Sequence, residues 1–461
     1  MSVSASSRQI ITSCAAVALA VLGGGGLSTI DSAAPAGTDV SSVQDADSWV
    51  TYHYDQRRQG YDPYASPASG SLTPAWQADL DGAVYAQPLV IGDTIIAVTE
   101  NDSVYGLTLS GAVLWRTNLG SPVPRAELPC GNIDPLGITG TPIYHPATNQ
   151  VYFVAELDDP IRHTLFAVDV DTGDVSWSRD VDPEGSTPTV QQQRGAMAIA
   201  KGRVWVSLGA LAGDCGPYHG YEVGVRLDGS AGRSVYQTPS ERGAGLWAPT
   251  GPSVDAQGHL FVAPANGAAF APPYDDSDSI VKLDGNRKIS LWAPTNWAEE
   301  NEKDKGQGPA APLLFSALGK RWAFSISKAP HVYLLRQGDL GGIGGQVVQR
   351  EGCKAWAGMA FHDGLIYVPC VQGMTAYTIT RGPRITKVWR TRATGYGAAP
   401  VVGGGAVWSS NAGTLWQLDP ATGATVASIP IGVLPHFASP TLHGSLVLVG
   451  TMTGVSAVST S

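Results

Sequence analysis

Short apolar runs alternate with tight polar turns along residues 70–461. "PLVIGDTIIAVTE", "MAFHDGLIYVPC", "PVVGGGAVWSS" and "PTLHGSLVLVGT" each give an apolar run, a turn and a second apolar run. That pattern predicts hairpins of half-buried strands. A small residue followed by Pro or Met leads into each hairpin, at Gln87-Pro88, Thr141-Pro142, Ala196-Met197, Gly251-Pro252, Ala311-Pro312, Gly358-Met359, Ala399-Pro400 and Ser439-Pro440. A third strand follows, such as "SVYGLTL" or "TLFAVDV", and often a Gly turn and a fourth, as in "SGAVLW" and "TGDVSW". Four antiparallel strands repeated eight times predict an all-β, eight-bladed β-propeller, whose radial repetition leaves few exposed edges. The last unit, "ASPTLHGSLVLVGTMTGVSAVSTS", holds only three strands, while "SLTPAWQADL" near the start is an orphan fourth. This N-terminal strand is expected to close the eighth blade. Sustained helical periodicity is absent.

The repeat also carries specific residues. "FAVDVDTGDVSW" contains Ala167, Asp169, Thr172, Gly173 and Trp177. It resembles the Ala-x-Asp-x-x-Thr-Gly-x-x-x-Trp repeat of the PQQ-like (quinoprotein alcohol dehydrogenase-like) eight-bladed propellers. "LWQLDPATGATVASI" is a degenerate copy without the Trp. Trp76, Trp115, Trp177, Trp292 and Trp389 are expected to wedge between neighbouring blades. "DSWVTYHYDQRRQGYDPYASP" also resembles the family's opening segment. Membership implies the fold and allows pyrroloquinoline quinone (PQQ) on the axis with Ca²⁺ and a catalytic aspartate. The adjacent cysteine pair that stacks on the quinone in such dehydrogenases is absent here, and no Ca²⁺ ligand or base transfers to a numbered position. Another relative, the propeller lipoprotein of the outer-membrane barrel-assembly machine, is a scaffold. The lipoprotein signature is missing here.

Propeller connections fall on two faces. Turns between the first and second strands and between the third and fourth are short ("IGD", "AKG", "HDG", "DTG"). Loops between the second and third strands and links between blades are long ("LPCGNIDPLGITGTP", "LGALAGDCGPYHGY", "WAPTNWAEENEKDKGQGP"). Binding concentrates where long loops crown a rigid scaffold. Paired carboxylates there would suit acid–base work on a sugar, making Glu100, Glu156, Asp214 and Glu222, with His219, the catalytic candidates. Asn101, Asp134, Arg194, Asn266, Asp275, Lys328 and His436 are the ligand-binding candidates on the same loops. "YDDSDS" reads as turn capping, and the nine histidines show no HExxH spacing, so no metal site is expected. No Gly-x-Ser-x-Gly elbow occurs, and "GDLGGIGG" joins strands without the helix a phosphate loop requires.

The remaining features place the chain in a compartment. Arg8, the stretch "IITSCAAVALAVLGGGGL" and the small residues Ala34-Pro35-Ala36 read as a signal peptide over 1–36 with cleavage after Ala36. The expected division is then an N-terminal extension over 37–69 and the propeller over 70–461. No later segment is apolar enough to span a bilayer. Four cysteines remain, predicted to pair as Cys130–Cys215 and Cys353–Cys370. With 15% charged residues, a net charge of -10 and no Lys/Arg run, nucleic acid is excluded as a partner. The sequence thus describes an exported, monomeric binding or scaffold propeller whose long-loop face engages a small molecule, saccharide or cell-envelope protein. The alternatives are a carbohydrate lyase or hydrolase and a PQQ-dependent dehydrogenase, with no cofactor assigned.

Overall fold

The computed structural model describes residues 48–392 and 399–461. The signal-peptide reading of 1–36 lies outside the described residues. Eight antiparallel sheets follow one another along the chain. Their first and last strands are Leu89–Ile91 and Val113–Asn118 in blade 1, Ile143–His145 and Val175–Asp180 in blade 2, and Ala198–Ala200 and Ser234–Gln237 in blade 3. Blades 4 to 7 run from Ser253–Val254 to Arg287–Ala293, Leu313–Ala317 to Val348–Glu351, Ala360–His362 to Arg384–Thr391, and Val401–Gly403 to Thr425–Pro430. Blade 8 takes Thr441–His443, Leu446–Thr451 and Gly454–Ser459 from the C-terminus and closes on Thr73–Asp79, with Trp76 opposite Ala457. One short helix, Trp297–Glu302, occupies the link between blades 4 and 5, which carried no helical signal. A single helical turn is too short to leave a periodic pattern.

The tryptophan repeat works by a lock between blades. Asp169 accepts the backbone N–H of Asp171 and Thr172, and Asp419 does the same for Ala421 and Thr422. Each such turn ends at a glycine in the left-handed region, where L side chains are disfavoured. The indole of the preceding blade lies flat on that glycine. Trp76 covers Gly111, Trp115 covers Gly173, Trp177 covers Gly229 and Trp389 covers Gly423. Trp76, Trp115 and Trp389 also donate from Nε1 to carbonyls of the next blade, at Leu109, Val170 and Pro420. Trp292 differs: it bonds Gln346 and packs on Tyr333 of blade 5, without a turn glycine beneath it.

Residues 49–62 pack against the inner strands of the propeller. The first strand of each blade lies nearest the axis, and its inner edge presents unpaired backbone groups. Residues 49–60 visit these edges in order. Trp49 exchanges backbone bonds with Val90 of blade 1, and the carbonyl of Val50 accepts from Tyr144 of blade 2. Gln56 accepts from Ile199 of blade 3 through its side chain and from Val254 of blade 4 through its backbone. The carbonyls of Arg57, Gln59 and Gly60 then accept from Leu314, Phe361 and Val402 of blades 5, 6 and 7. Tyr61–Asp62 continue as a parallel strand beside Val401–Gly403.

Arg58 anchors this plug. It is buried, and it donates to Thr51 Oγ1 and to the carbonyls of Tyr52, Met197 and Pro252. Burial lowers its pKa to about 10, the neighbouring Tyr52, Asp55 and Glu222 opposing the shift. His53 lies between the Met359 carbonyl and Ser439 Oγ, and burial lowers its pKa to about 3.

Candidate functional site

With the short-turn end of the axis plugged, the long-loop end is a funnel whose floor is Tyr52. The Tyr52 ring stacks on the His53 imidazole at 4.1 Å and 3°, and burial raises the Tyr52 pKa. Above it lies a small cavity of about 20 Å³ that opens to solvent. Its wall comes chiefly from one register position, three residues before the Pro or Met of each lead-in. Tyr85, Thr139, Arg194, Pro249 and Phe437 hold that position in blades 1, 2, 3, 4 and 8 and all line the cavity. Trp356 holds it in blade 6.

Two cations reach this ring. Arg194 donates to Gln192 Oε1 at 3.0 Å and Asn132 Oδ1 at 3.3 Å. Lys328, whose side chain is 9% exposed, holds its ammonium 5.6 Å from the Trp247 ring and 5.4 Å from the Trp356 ring. It is bonded to Asp304 and stands 3.4 Å from Asn266 Oδ1. Such a cation between two π faces is held at the site without being neutralised by a buried partner. Phe437 adopts φ 66° to place its ring here, a conformation uncommon for a bulky residue.

Of the ligand-binding candidates, Arg194 and His436 line the cavity, while Asn266 stands beside Lys328, which meets Trp247 next to Phe437 of the cavity wall. Asn101 caps the Asp81 carbonyl, Asp134 accepts from the Arg125 backbone, and Asp275 accepts from Ser240, Ser277, Ala268 and Ala269. These three shape loops away from the axis.

The catalytic candidates need correction. Glu100, Glu156 and Glu222 are 2%, 1% and 0% exposed and do not face the rim. Glu100 accepts from the Gly137 N–H at 2.8 Å, and burial raises its pKa to about 7. Glu222 accepts from Ser207 Oγ at 2.6 Å, and burial raises its pKa to about 8. Asp102 joins Glu100 and Glu156, and burial raises it to about 9. Glu156 faces His163 Nε2 at 3.2 Å, while His163 Nδ1 meets Asp182 at 2.7 Å. Burial works against protonating His163, but the two carboxylates raise its pKa well above the usual value. Asp214 alone is exposed, accepting from Tyr218 at 2.9 Å, and the half-buried His219 accepts from Gln191 through its carbonyl. Strand-end positions read as rim loops because burial depends on how blades abut.

Sequence reasoning missed Tyr52, Tyr85, Trp247, Trp356 and Phe437. The available signal was the register itself, since Tyr85, Trp356 and Phe437 share one offset from their lead-ins.

Cys130–Cys215 and Cys353–Cys370 are bonded, which points to an oxidising compartment. Cys130–Cys215 ties the long loops of blades 1 and 3 beside Leu128, Ile133 and Leu211. Among the described residues no helix is long and apolar enough to cross a membrane, and no group of three His, Cys, Asp or Glu is arranged to hold a metal ion.

Known proteins share this architecture. A family described as outer membrane protein assembly factor BamB matches residues 64–210. The polyvinylalcohol dehydrogenase of Sphingopyxis sp. (strain 113P3) is 24% identical over 390 residues, covering 73% of this chain and 56% of that protein. The chain thus spans little more than half that relative's length. Quinohemoprotein alcohol dehydrogenase from Comamonas testosteroni superposes with a TM-score of 0.67 at 15% identity, over 90% of this chain and 80% of that one. BamB from Moraxella catarrhalis superposes with a TM-score of 0.58 at 16% identity, over 84% and 99%.

Proposed function

We propose, from the premise that this chain belongs to the PQQ-like eight-bladed propeller repeat family, that its axial funnel binds a small, flat, anionic molecule. The observation that carries this reading is Lys328 set between Trp247 and Trp356. An anionic group on the ligand would meet Lys328 and Arg194, while its flat body would lie against indole and phenyl faces. Among the described residues the exposed Asp304 is the one carboxylate within salt-bridge distance of Lys328, so the ligand's charge can replace it and leave Asp304 to water.

A dehydrogenase is the second reading, favoured by the polyvinylalcohol dehydrogenase relative. PQQ is flat and carries three carboxylates, so it suits the charge and aromatic lining, with Lys328, Arg194, Trp247 and Trp356 as the residues that would hold it. Once bound, the quinone would supply the electron acceptor for alcohol oxidation. Among the described residues no group of three His, Cys, Asp or Glu is arranged to hold the Ca²⁺ of such a site.

Titration of the purified protein with PQQ, with and without Ca²⁺, tests both readings through tryptophan fluorescence. Quenching is expected, weakened at least about tenfold in Lys328→Met by loss of a charge-assisted contact. Binding accompanied by dye-linked alcohol oxidation would establish the dehydrogenase. Binding without turnover would leave a carrier or sensor. Absence of binding by PQQ and by simpler aromatic carboxylates would overturn the funnel reading, and cell-envelope proteins would become the ligands to test.

A further inference from the structure

A second site lies on the propeller's flank, away from the axis. The outer strand of blade 6 and its turn carry Arg381, Arg384, Lys387, Arg390 and Arg392, with no acidic residue between Arg381 and Arg392. The whole chain has a net charge of -10, so this density of cations is local. On the outer strands of blades 1 and 4 the cations are matched by acids: Arg116 pairs with Asp81, Arg287 with Asp284 and Lys288 with Asp276. Among the described residues no carboxylate lies within salt-bridge distance of Arg384, Lys387 or Arg390.

A backbone irregularity concentrates these charges. The register shifts between Ala376 and Tyr377, so that Lys387 stands opposite Tyr377 and Arg390 opposite Thr375. Residues three apart on a regular strand point to opposite faces. Here both point to the face toward blade 5. Arg350 of that blade completes the group, its guanidinium donating to the Ile385 carbonyl of blade 6. These residues line a solvent-open cleft of about 450 Å³, with the exposed Glu351 at its edge.

We propose that this inter-blade cleft is a binding site for phosphate groups. Three cations converge over the Thr375 and Tyr377 hydroxyl-bearing side chains, the donor set that tetrahedral oxyanions select. Protection of an edge strand accounts for charge on blade 6 alone. It does not account for an arginine of the neighbouring blade pinned to the same cleft. The phosphate could belong to a small molecule or to a phosphate polymer, and the two are separable.

Calorimetric titration of the full protein with inorganic phosphate and with a short linear polyphosphate is the test. Polyphosphate is expected to bind, more weakly as salt rises, and Lys387→Gln/Arg390→Gln is expected to weaken it at least about tenfold. The paired, exposed control Arg287→Gln should change affinity by no more than about twofold. Comparable binding of inorganic phosphate would assign a single-phosphate ligand, and binding of the polymer alone would assign a polymeric one. Arg350→Gln, tested separately, should weaken either ligand. Absence of binding by both probes at low salt, or equal loss in the Arg287 control, would overturn the proposal. Thermal unfolding of each variant separates lost binding from lost fold.

Discussion

Trp247 and Phe437 meet over the axis, their ring centroids 6.4 Å apart at 43°. Trp247 comes from the link between blades 3 and 4, and Phe437 from the link between blades 7 and 8, on opposite sides of the ring. The contact narrows the funnel above Tyr52 and sets the width of anything entering it. Phe437→Ala should widen the neck while keeping the left-handed strain, which the Cβ causes. Stability should change by less than about 1 kcal/mol, because the ring is half-exposed. Ligand association by stopped-flow fluorescence should quicken in the same variant.

Arg58 tests the plug. Its guanidinium serves four acceptors around the axis and has no carboxylate partner within salt-bridge distance. Arg58→Met should cost about 3 kcal/mol or more, since three buried carbonyls and a hydroxyl lose their donor together. Chemical denaturation would measure the loss. Increased hydrogen exchange at the first strands of blades 3 and 4 would locate it.

Glu222 makes stability depend on pH. Its pKa rises from 4.5 to about 8 on folding. Between those values the folded chain holds a proton that the unfolded chain has released, so stability falls as pH rises through that window. Glu222→Gln keeps an acceptor for Ser207 and removes the titration. It should match the parent near pH 4.5 and exceed it at pH 8 by about 1–3 kcal/mol, after discounting for relaxation around the buried charge. Melting temperatures at the two pH values check this directly.

His163 should behave in the same sense over a higher pH window. Its pKa is raised on folding, so its contribution is complete below its unfolded pKa and declines as pH rises through the folded one. His163→Ala leaves Glu156 and Asp182 without their shared cation. A loss of about 3–5 kcal/mol is expected near neutral pH. A smaller loss in His163→Ala combined with Glu156→Gln would show that an unpaired charge, and not a cavity, sets the cost.

Gly423 tests the inter-blade lock. A Cβ there would stand 2.4 Å from Trp389, and the backbone sits at φ 70°. Gly423→Ala therefore adds overpacking to left-handed strain, together about 3 kcal/mol. An exposed left-handed glycine with open space around its Cβ position, Gly382, should lose only about 1–2 kcal/mol from the strain alone when changed to Ala.

Much of the architecture was determined by the sequence itself. Hairpin patterning, the eight lead-ins, the orphan strand around Trp76 and the Asp-x-x-Thr-Gly turns all express local rules: side-chain alternation, turn chemistry and left-handed glycine. Such rules act over a few residues and survive in a linear reading. The site obeyed different physics. Glu100, Glu156 and Glu222 look like polar loop residues, yet neighbouring blades enclose them. Residues 49–60 look like a leader to the propeller, yet the inner edges of seven blades bond to them, six through backbone and blade 3 through the Gln56 side chain. Trp247 and Phe437 are 190 positions apart by numbering, and Lys387 and Arg350 belong to different blades. Closing the ring juxtaposes these groups, because burial, field and aromatic contact depend on distances through space that the order of residues does not contain.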